Sequence, residues 1–248
     1  GMVLKDGDVM SKSRGNIVDP DGIIEKYGAD TLRMFILFAS PPEAELEWDD
    51  RGIEGSSRFI NRVWRLVEAV HKKLKDKQQY RDDTRDRELQ RKMHEVIKKI
   101  TQDMEGGFKF NTCIAACMEL VNEIYKSVGE NININFQYQY EAVQCVVQLL
   151  APFIPHVAEE MWQMLGNKKS VFQQGWPSYA EDMLKAEIIT IIVQINGKVR
   201  SKIEVNPEIN EEDLKKVVLS DDKVKQWIGD SPIKKFIIIP GKLVNIVV

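Results

Sequence analysis

Cysteine and histidine are scarce in this sequence, and it has no long apolar run. Three cysteines (Cys113, Cys117 and Cys145) and three histidines are spread over 248 residues. There is no Cys-x-x-Cys pair, so neither a disulfide framework nor a zinc knuckle is indicated, and we expect no metal site. Cysteines without a pairing pattern favour a reducing, cytoplasmic compartment. Because no apolar run approaches the roughly 18 residues of a membrane helix, we expect no membrane partner.

The signatures of several enzyme classes are also missing. The sequence contains neither a Gly-x-x-x-x-Gly-Lys-Ser/Thr phosphate loop nor a Gly-x-Gly-x-x-Gly turn, which excludes the nucleotide-binding folds that carry them. His94-Glu95 is followed by Lys98 at the position where a zinc protease has its second histidine. Function must therefore be sought in the distribution of charge and in other motifs.

Charge is distributed unevenly along the chain. The formal net charge of −3 excludes a uniformly basic nucleic-acid binder. Residues 1–50 contain 5 basic and 11 acidic side chains, whereas residues 51–100 contain 15 basic and 8 acidic ones. A basic segment within an acidic chain predicts a local anion-binding face.

Apolar residues recur at helical spacing through most of the first 165 positions. The polar residues 1–20 predict a loop, and Asp19-Pro20 predicts the start of a short helix that ends at Gly28. Further helices are predicted over residues 30–39, 51–77, 84–104, 111–128, 141–150 and 157–165, with Asn111 as an N-cap. Amphipathic helices with short connections predict a mainly α fold built around a helical bundle.

The pattern changes after Trp176-Pro177. Residues 188–195 are mostly β-branched, and the Asn196-Gly197 that follows is a strong hairpin signal. Helices over 211–219 and 222–228 and strands over 236–239 and 243–248 complete a β-β-α-α-β-β unit. We expect Ile237, Ile238, Ile239, Val247 and Val248 in its sheet core. The predicted regions are a connecting segment (1–48), the helical bundle (49–180) and a small α+β domain (187–248).

Two sets of cations are candidates for binding phosphates. Strict alternation along strand 198–205 would place Lys198, Arg200 and Lys202 on one face. The second set lies on the helix over 51–77, opposite its apolar side. The alternative to phosphate binding is that these cations only form a solvated helix face. The members of this second set are Arg51, Arg58, Arg62, Arg65 and Lys72.

The segment Met10-Ser11-Lys12-Ser13 has a composition that suits a polyphosphate. Lys12 supplies a compact charge, the serines donate hydrogen bonds and the nearby Gly15 permits close backbone approach. By composition alone, a solvated loop is the alternative. Together with Val9, the order of residues resembles the Lys-Met-Ser-Lys-Ser signature loop of class I aminoacyl-tRNA synthetases. Val9 replaces the first lysine of that pattern, and Lys12 is the second.

The resemblance extends along the chain and is closest to the leucyl subgroup of that family. It implies a helical anticodon-binding-type domain followed by a C-terminal domain that reaches the outer corner of tRNA. The motifs that carry it include Tyr27-Gly28-Ala29-Asp30, Leu46-Glu47-Trp48, Leu150-Ala151-Pro152-Phe153-Ile154-Pro155-His156, Val193-Gln194-Ile195-Asn196-Gly197-Lys198 and Pro240-Gly241-Lys242-Leu243-Val244-Asn245.

The resemblance also implies a reaction, in which leucine is joined to its tRNA through leucyl-adenylate at the expense of ATP with Mg²⁺. Met10, Ser11, Lys12 and Ser13 would contact the ATP phosphates, and Lys12 would be catalytic by stabilising developing charge. Leucine tRNA would be bound by cations of the bundle and of the small domain, namely Arg58, Arg62, Arg65, Lys198, Arg200 and Lys202.

The family's nucleotide-binding sheet, with its His-Ile-Gly-His signature, and its editing domain have no counterpart in this sequence. We therefore expect those domains of the same enzyme to be partners, together with leucine tRNA but without DNA. We expect no ligase activity and no bound cofactor for this chain alone. A free-standing tRNA-binding or regulatory module with a vestigial loop is the alternative, which Val9 mildly favours. A structural helical adaptor is a third possibility and predicts no affinity for tRNA.

Overall fold

The computed structural model describes residues 1–74, 84–128, 136–184, 189–229 and 231–248. The chain divides into two compact units, Gly1–Leu184 and Lys185–Val248. The first is dominated by helices, and the second combines two helices with a sheet. Within the described ranges, no helix is both long and apolar enough to cross a membrane.

A small sheet opens the first unit. β1 (Val3–Lys5) pairs antiparallel with β2 (Asp8–Val9) and parallel with β3 (Leu46–Glu47). The turn between the first two strands is Asp6-Gly7, whose φ angles of 57° and 78° fit a two-residue hairpin. The prediction of a loop over residues 1–20 was wrong at these positions. The strands are too short to show an alternating pattern, and β3 lies far along the chain.

Two helices follow the small sheet, as predicted. In α1 (Pro20–Tyr27), the carboxylate of Asp19 accepts a hydrogen bond from the backbone N–H of Asp21 at 3.0 Å and caps the helix. Gly28 then separates α1 from α2 (Ala29–Ala39) with a φ of 84°, which a residue with a Cβ rarely adopts. α2 turns buried side chains towards the rest of the unit, among them Leu32, Met34 and Phe35.

Five further helices of the described chain form the bundle, so the predicted helical bundle is confirmed. α5 begins one residue before Asn111, which therefore lies in the first turn and does not cap the helix. α6 begins earlier than predicted because its first turn carries aromatic and amide side chains rather than aliphatic ones. The predicted end of the first of these helices, near residue 77, lies outside the described residues. The five are α3 (Asp50–Leu74), α4 (Thr84–Glu105), α5 (Phe110–Val128), α6 (Phe136–Leu150) and α7 (Pro155–Met164).

One apolar core runs through the bundle and includes all three cysteines. Cys113, Cys117 and Cys145 are free, buried thiols. Burial raises the pKa of Cys145 to about 12 and that of Cys113 to about 11, so they behave as small core residues. The other fully buried members include Val63, Val67, Ile100, Ile114, Leu120, Ile124, Val147, Leu150, Ile154 and Met161.

The second unit has the predicted β-β-α-α-β-β order. Its sheet runs β5-β4-β7-β6, with β4 and β7 parallel and the outer pairs antiparallel. Asn196 and Gly197 form the first hairpin turn with φ angles of 49° and 77°, as the sequence signal predicts. The elements are β4 (Ile189–Ile195), β5 (Lys198–Val205), α8 (Glu211–Ser220), α9 (Asp222–Ile228), β6 (Lys235–Ile239) and β7 (Leu243–Val247).

Only one face of this sheet is covered by the unit's own helices. Phe236 and Ile238 pack on the core beneath α8 and α9, but Ile237 and Ile239 are 45% and 44% exposed. Our placement of Ile237 and Ile239 in the sheet core was wrong. Two short helices cover one side of a four-stranded sheet, so alternate residues of β6 remain on the other side. We call that side the open face.

Candidate functional site

The segment after β2 is folded back onto the small sheet. The backbone N–H of Ser11 donates to the side-chain oxygen of Asn16 at 2.9 Å, and the Asn16 amide donates to the backbone oxygens of Asp8 and Val9. Residues Lys12–Arg14 form one turn of 3-10 helix, which ends at Gly15 with a φ of 66°. These local contacts give the segment around Lys12 a defined shape.

Lys12 lies at the exposed tip of this segment. Among the described residues it has neither an ion pair nor a side-chain hydrogen bond. Arg14, by contrast, is 2.6 Å from the carboxylate of Asp8, and the hydroxyls of Ser11 and Ser13 are 3.2 Å apart. The segment therefore presents one unneutralised ammonium group beside two hydroxyls, which is the arrangement needed to contact phosphate oxygens.

A buried carboxylate joins the first part of the unit to the bundle. Asp30, in α2, is only 4% exposed. Its two oxygens accept hydrogen bonds from the backbone N–H of Val157 at 2.7 Å and from Nδ1 of His156 at 2.9 Å. Asp30 thereby caps the N-terminus of α7, where the local cap residue Ile154 offers no side-chain acceptor. This role was not predicted from the sequence, because Asp30 and Val157 lie 127 positions apart.

Helix α3 presents its cations on an exposed side. Arg58, Arg65 and Lys72 follow one another at seven-residue steps, about two helical turns, and all three are exposed. Within the described parts of the chain none of them has an ion-pair or side-chain hydrogen-bond partner. Arg51, one step earlier, is paired with Asp49 at 3.1 Å. We call Arg58, Arg65 and Lys72 the α3 stripe.

Arg62 differs from the members of the α3 stripe. Its guanidinium donates to the side-chain oxygen of Asn122 at 2.7 Å and lies 4.5 Å from the ring centroid of Tyr125. The Tyr125 hydroxyl in turn donates to the backbone oxygen of Arg62 at 2.9 Å. Arg62 is thus held against α5, so its charge has a fixed position at the edge of the exposed side.

In the second unit, β5 does not place its three cations on one face. Lys198 pairs with Ile195, which is buried beneath the helices, so Lys198 is on the helix-covered side. Lys202 pairs with Ile192, three residues back along β4, and therefore lies on the open face. The prediction that the three cations share a face was wrong.

The cause is a bulge in β5. Val199 pairs with Gln194 and Ser201 with Val193, which leaves Arg200 as an extra residue between them. An extra residue shifts the two-residue period of a strand by one position. Before the bulge even-numbered residues of β5 lie on the helix-covered side, and after it they lie on the open face. A sequence pattern that assumes strict alternation cannot predict this change of face.

Arg200 is stacked on an aromatic ring that the sequence analysis missed. Its Cζ atom lies 3.4 Å from the ring centroid of Trp227 in α9, and Trp227 is 49% exposed. The signal that could have pointed to it is a tryptophan that directly follows the polar pair Lys225-Gln226 in the short helix over 222–228. In the described chain, no group of three or more His, Cys, Asp or Glu side chains could hold a metal ion.

Two known protein families match parts of this chain. Residues 86–218 match the anticodon-binding domain of tRNA ligase, and residues 1–49 match the class I tRNA synthetases for isoleucine, leucine, methionine and valine. The chain belongs to the anticodon-binding domain family of tRNA ligases. Membership of this family agrees with the helical bundle and confirms the resemblance on which the sequence analysis relied.

Curated relatives match the chain over its full length. The leucine–tRNA ligase of Thermotoga maritima is 49% identical over 253 residues, covering 100% of this chain and 31% of the relative. That of Geobacter sp. (strain M21) is 48% identical over 251 residues, covering 100% and 30%. The chain therefore spans about 30% of the length of these relatives and corresponds to their C-terminal part.

A solved structure supports the same relationship. The chain superimposes with a TM-score of 0.82 and 31% identity on the LeuRS of Agrobacterium radiobacter K84 agnB2, crystallised as a ternary complex with tRNA and LeuAMS. The match covers 100% of this chain and 32% of that one. At this identity the similarity extends beyond the fold to the family.

Proposed function

We propose that this chain is the C-terminal part of a leucine–tRNA ligase, in which it binds leucine tRNA and contributes one loop to the ATP site. The observation that carries the proposal is the similarity of the whole chain, at 49% identity, to one contiguous third of such a ligase. The complete enzyme would join leucine to tRNA through leucyl-adenylate, with ATP, accompanied by Mg²⁺, as the co-substrate.

The α3 stripe is our proposed RNA contact in the bundle. Its side chains are exposed and unneutralised, and their spacing along α3 allows them to follow a phosphate backbone. Arg62, fixed by Asn122 and Tyr125, would add a contact at the edge of this surface. Since the contacts are to phosphates, binding should weaken with salt, by about one unit of logarithmic slope for each phosphate neutralised.

The second unit supplies Lys198, Arg200 and Lys202 as further candidates. Its strand β5 lies at an edge of the sheet, so RNA could approach its cations without displacing a neighbouring strand. Recognition here would be by shape and phosphate contacts, as is usual for structured RNA. Because the bulge separates Lys202 from Arg200, a single RNA segment would have to reach around this edge to contact both.

In the first unit, we propose that Met10, Ser11, Lys12 and Ser13 contact ATP phosphates in the complete enzyme. Lys12 would stabilise the charge that develops as the adenylate forms, a role that needs a positioned cation and no covalent chemistry. The exposed, unpaired state of Lys12 supports this role. Val9, at the position of the family's first lysine, leaves Lys12 as the main cation of the segment.

The remaining domains of the ligase would pack on the first 36 residues. Large apolar side chains that are 38–54% exposed are concentrated there, and a partner surface would remove them from water. Because the chain corresponds to only 31% of such a ligase, we propose that it lacks ligase activity alone. These side chains are Met2, Val3, Val9, Ile17, Ile24 and Ile36.

The experiment is a titration of the 248-residue chain with leucine tRNA and with an unrelated tRNA, over a series of salt concentrations. We expect tighter binding of leucine tRNA and a falling affinity with salt. Equal affinity for both RNAs would favour a generic RNA-binding module. Absence of binding to either RNA would overturn the proposal that this part of the enzyme binds tRNA.

A further inference from the structure

One cation of the second unit is held in a way that a purely structural role does not explain. The guanidinium of Arg200 is stacked on Trp227, yet within the described chain it has no hydrogen bond and no ion pair. Its Nε atom is buried and has no partner among the same residues. An unpaired buried donor is destabilising, so a methionine or leucine would cover the indole ring at a lower cost.

The stack fixes the position of the charge without neutralising it. An arginine over an indole ring gains cation–π attraction and loses much of its side-chain freedom before any ligand binds. Neither Asp222 nor Glu204 neutralises it: the carboxylate of Asp222 is 3.7 Å from Lys225, and Glu204 pairs with the exposed Thr190 on the open face. The result is a positioned positive charge at the edge of the sheet.

The geometry also limits what this charge can bind. Because Nε is buried, the donors that remain towards solvent are the N–H groups on the two Nη nitrogens. Two parallel N–H groups match two oxygens of a phosphate. Lys198 lies on the same face two residues earlier and adds a second positive charge, whereas Lys202 lies on the open face.

We infer that Arg200, positioned by Trp227, is the principal contact of the second unit with a backbone phosphate of the tRNA, on the helix-covered side of β5. This inference rests on the proposed function and adds which face the RNA meets. Arg200 is the binding residue, and Trp227 is a positioning residue that acts through it.

The test compares single variants of the 248-residue chain in titrations with leucine tRNA at several salt concentrations. We expect Arg200→Gln to weaken binding roughly tenfold at low salt and to lower the salt slope by about one unit, because one phosphate contact is lost. Trp227→Leu keeps the charge but removes the aromatic face, so we expect roughly threefold weaker binding with the slope unchanged. Trp227→Phe, which keeps an aromatic face, should restore most of that loss.

Lys235→Gln is the matched control, because it removes one exposed positive charge from β6 at the opposite edge of the same sheet. Far-ultraviolet circular dichroism of each variant would confirm that the fold is retained. The inference is overturned if Arg200→Gln behaves like Lys235→Gln, or if Lys202→Gln weakens binding more than Arg200→Gln does. If the unsubstituted chain binds no tRNA, the proposed function fails and the inference fails with it.

Discussion

Helix α3 and strand β5 both carry several cations, but they present them in different ways. On α3, Arg58, Arg65 and Lys72 lie about two turns apart on one exposed side. On β5, Lys198 and Lys202 lie on opposite faces, and Arg200 between them is stacked on a neighbouring helix. The helix provides a row of exposed charges, whereas the strand provides one charge stacked on Trp227 and two more on opposite faces of the sheet.

The difference follows from how each element maintains its side-chain period. A helix repeats every 3.6 residues because each backbone N–H bonds within the same segment, so one face is maintained along the 25 residues of α3. A strand has its partners in other strands, and one extra residue against β4 is enough to exchange faces. Charges spaced along one side of a long helix can therefore contact the same ligand surface, while charges on either side of a bulge face different surfaces.

The largest expected effect on tRNA binding comes from removing the positive charges of the α3 stripe, compared with removing those of β5. We expect the Arg58→Gln, Arg65→Gln, Lys72→Gln triple variant to weaken leucine-tRNA binding roughly a hundredfold at low salt and to lower the salt slope by about three units. The Lys198→Gln, Arg200→Gln, Lys202→Gln triple variant should lower the slope by no more than about two units, since its members do not share a face. Binding titrations over a salt series measure both quantities.

Loop lysines provide the control for this experiment. Lys168 and Lys169 are exposed cations that follow α7 and are not members of the α3 stripe. Their replacement by glutamine should change the affinity less than twofold. If the two triple variants lower the salt slope of tRNA binding equally, the proposed difference between the cations of α3 and those of β5 is wrong.

A second, smaller effect tests how the helical unit is held together. Asp30→Ala removes the carboxylate that caps α7 and leaves the Val157 N–H without its acceptor. We expect the free energy of unfolding of the helical unit to fall by about 2 kcal/mol. Urea titration followed by circular dichroism at the helical wavelengths would measure it. Asp30→Asn keeps an acceptor oxygen and should lose about half as much; an unchanged midpoint for Asp30→Ala would exclude the capping role.

The smallest effect concerns the hairpin that sets the register of β5. Gly197 has a φ of 77°, so Gly197→Ala should destabilise the second unit by about 1 kcal/mol. The fluorescence of Trp227 would follow the second unit in a variant whose other tryptophans are replaced by phenylalanine. Gly175→Ala, in open space and without a positive φ, is the control; circular dichroism should show that it does not destabilise the first unit, in which it lies. A stability loss as large for Gly175→Ala would show that backbone conformation is not the cause.

Much of the architecture could be predicted from local patterns. The apolar repeat of α3, the break at Gly28 and the Asn196-Gly197 turn each depend on residues close together in sequence, and each was found where it was predicted. The first strands escaped prediction despite the Asp6-Gly7 signal, because two- and three-residue strands show no alternation. Asn111 was predicted as an N-cap, but α5 begins at Phe110 and places Asn111 in its first turn.

The features of the candidate site also fall into two groups: those that local sequence determines and those that depend on tertiary packing. The sequence by itself determined the order of the two units, the chemical character of the segment around Lys12 and the cationic side of α3, since these depend on composition and on a period that a helix maintains. Only the tertiary structure decided that Asp30 caps α7, that Ile237 and Ile239 remain exposed, and that Arg200 meets Trp227. Each of those outcomes depends on which elements pack together, and the energies involved arise between residues that are distant in the chain.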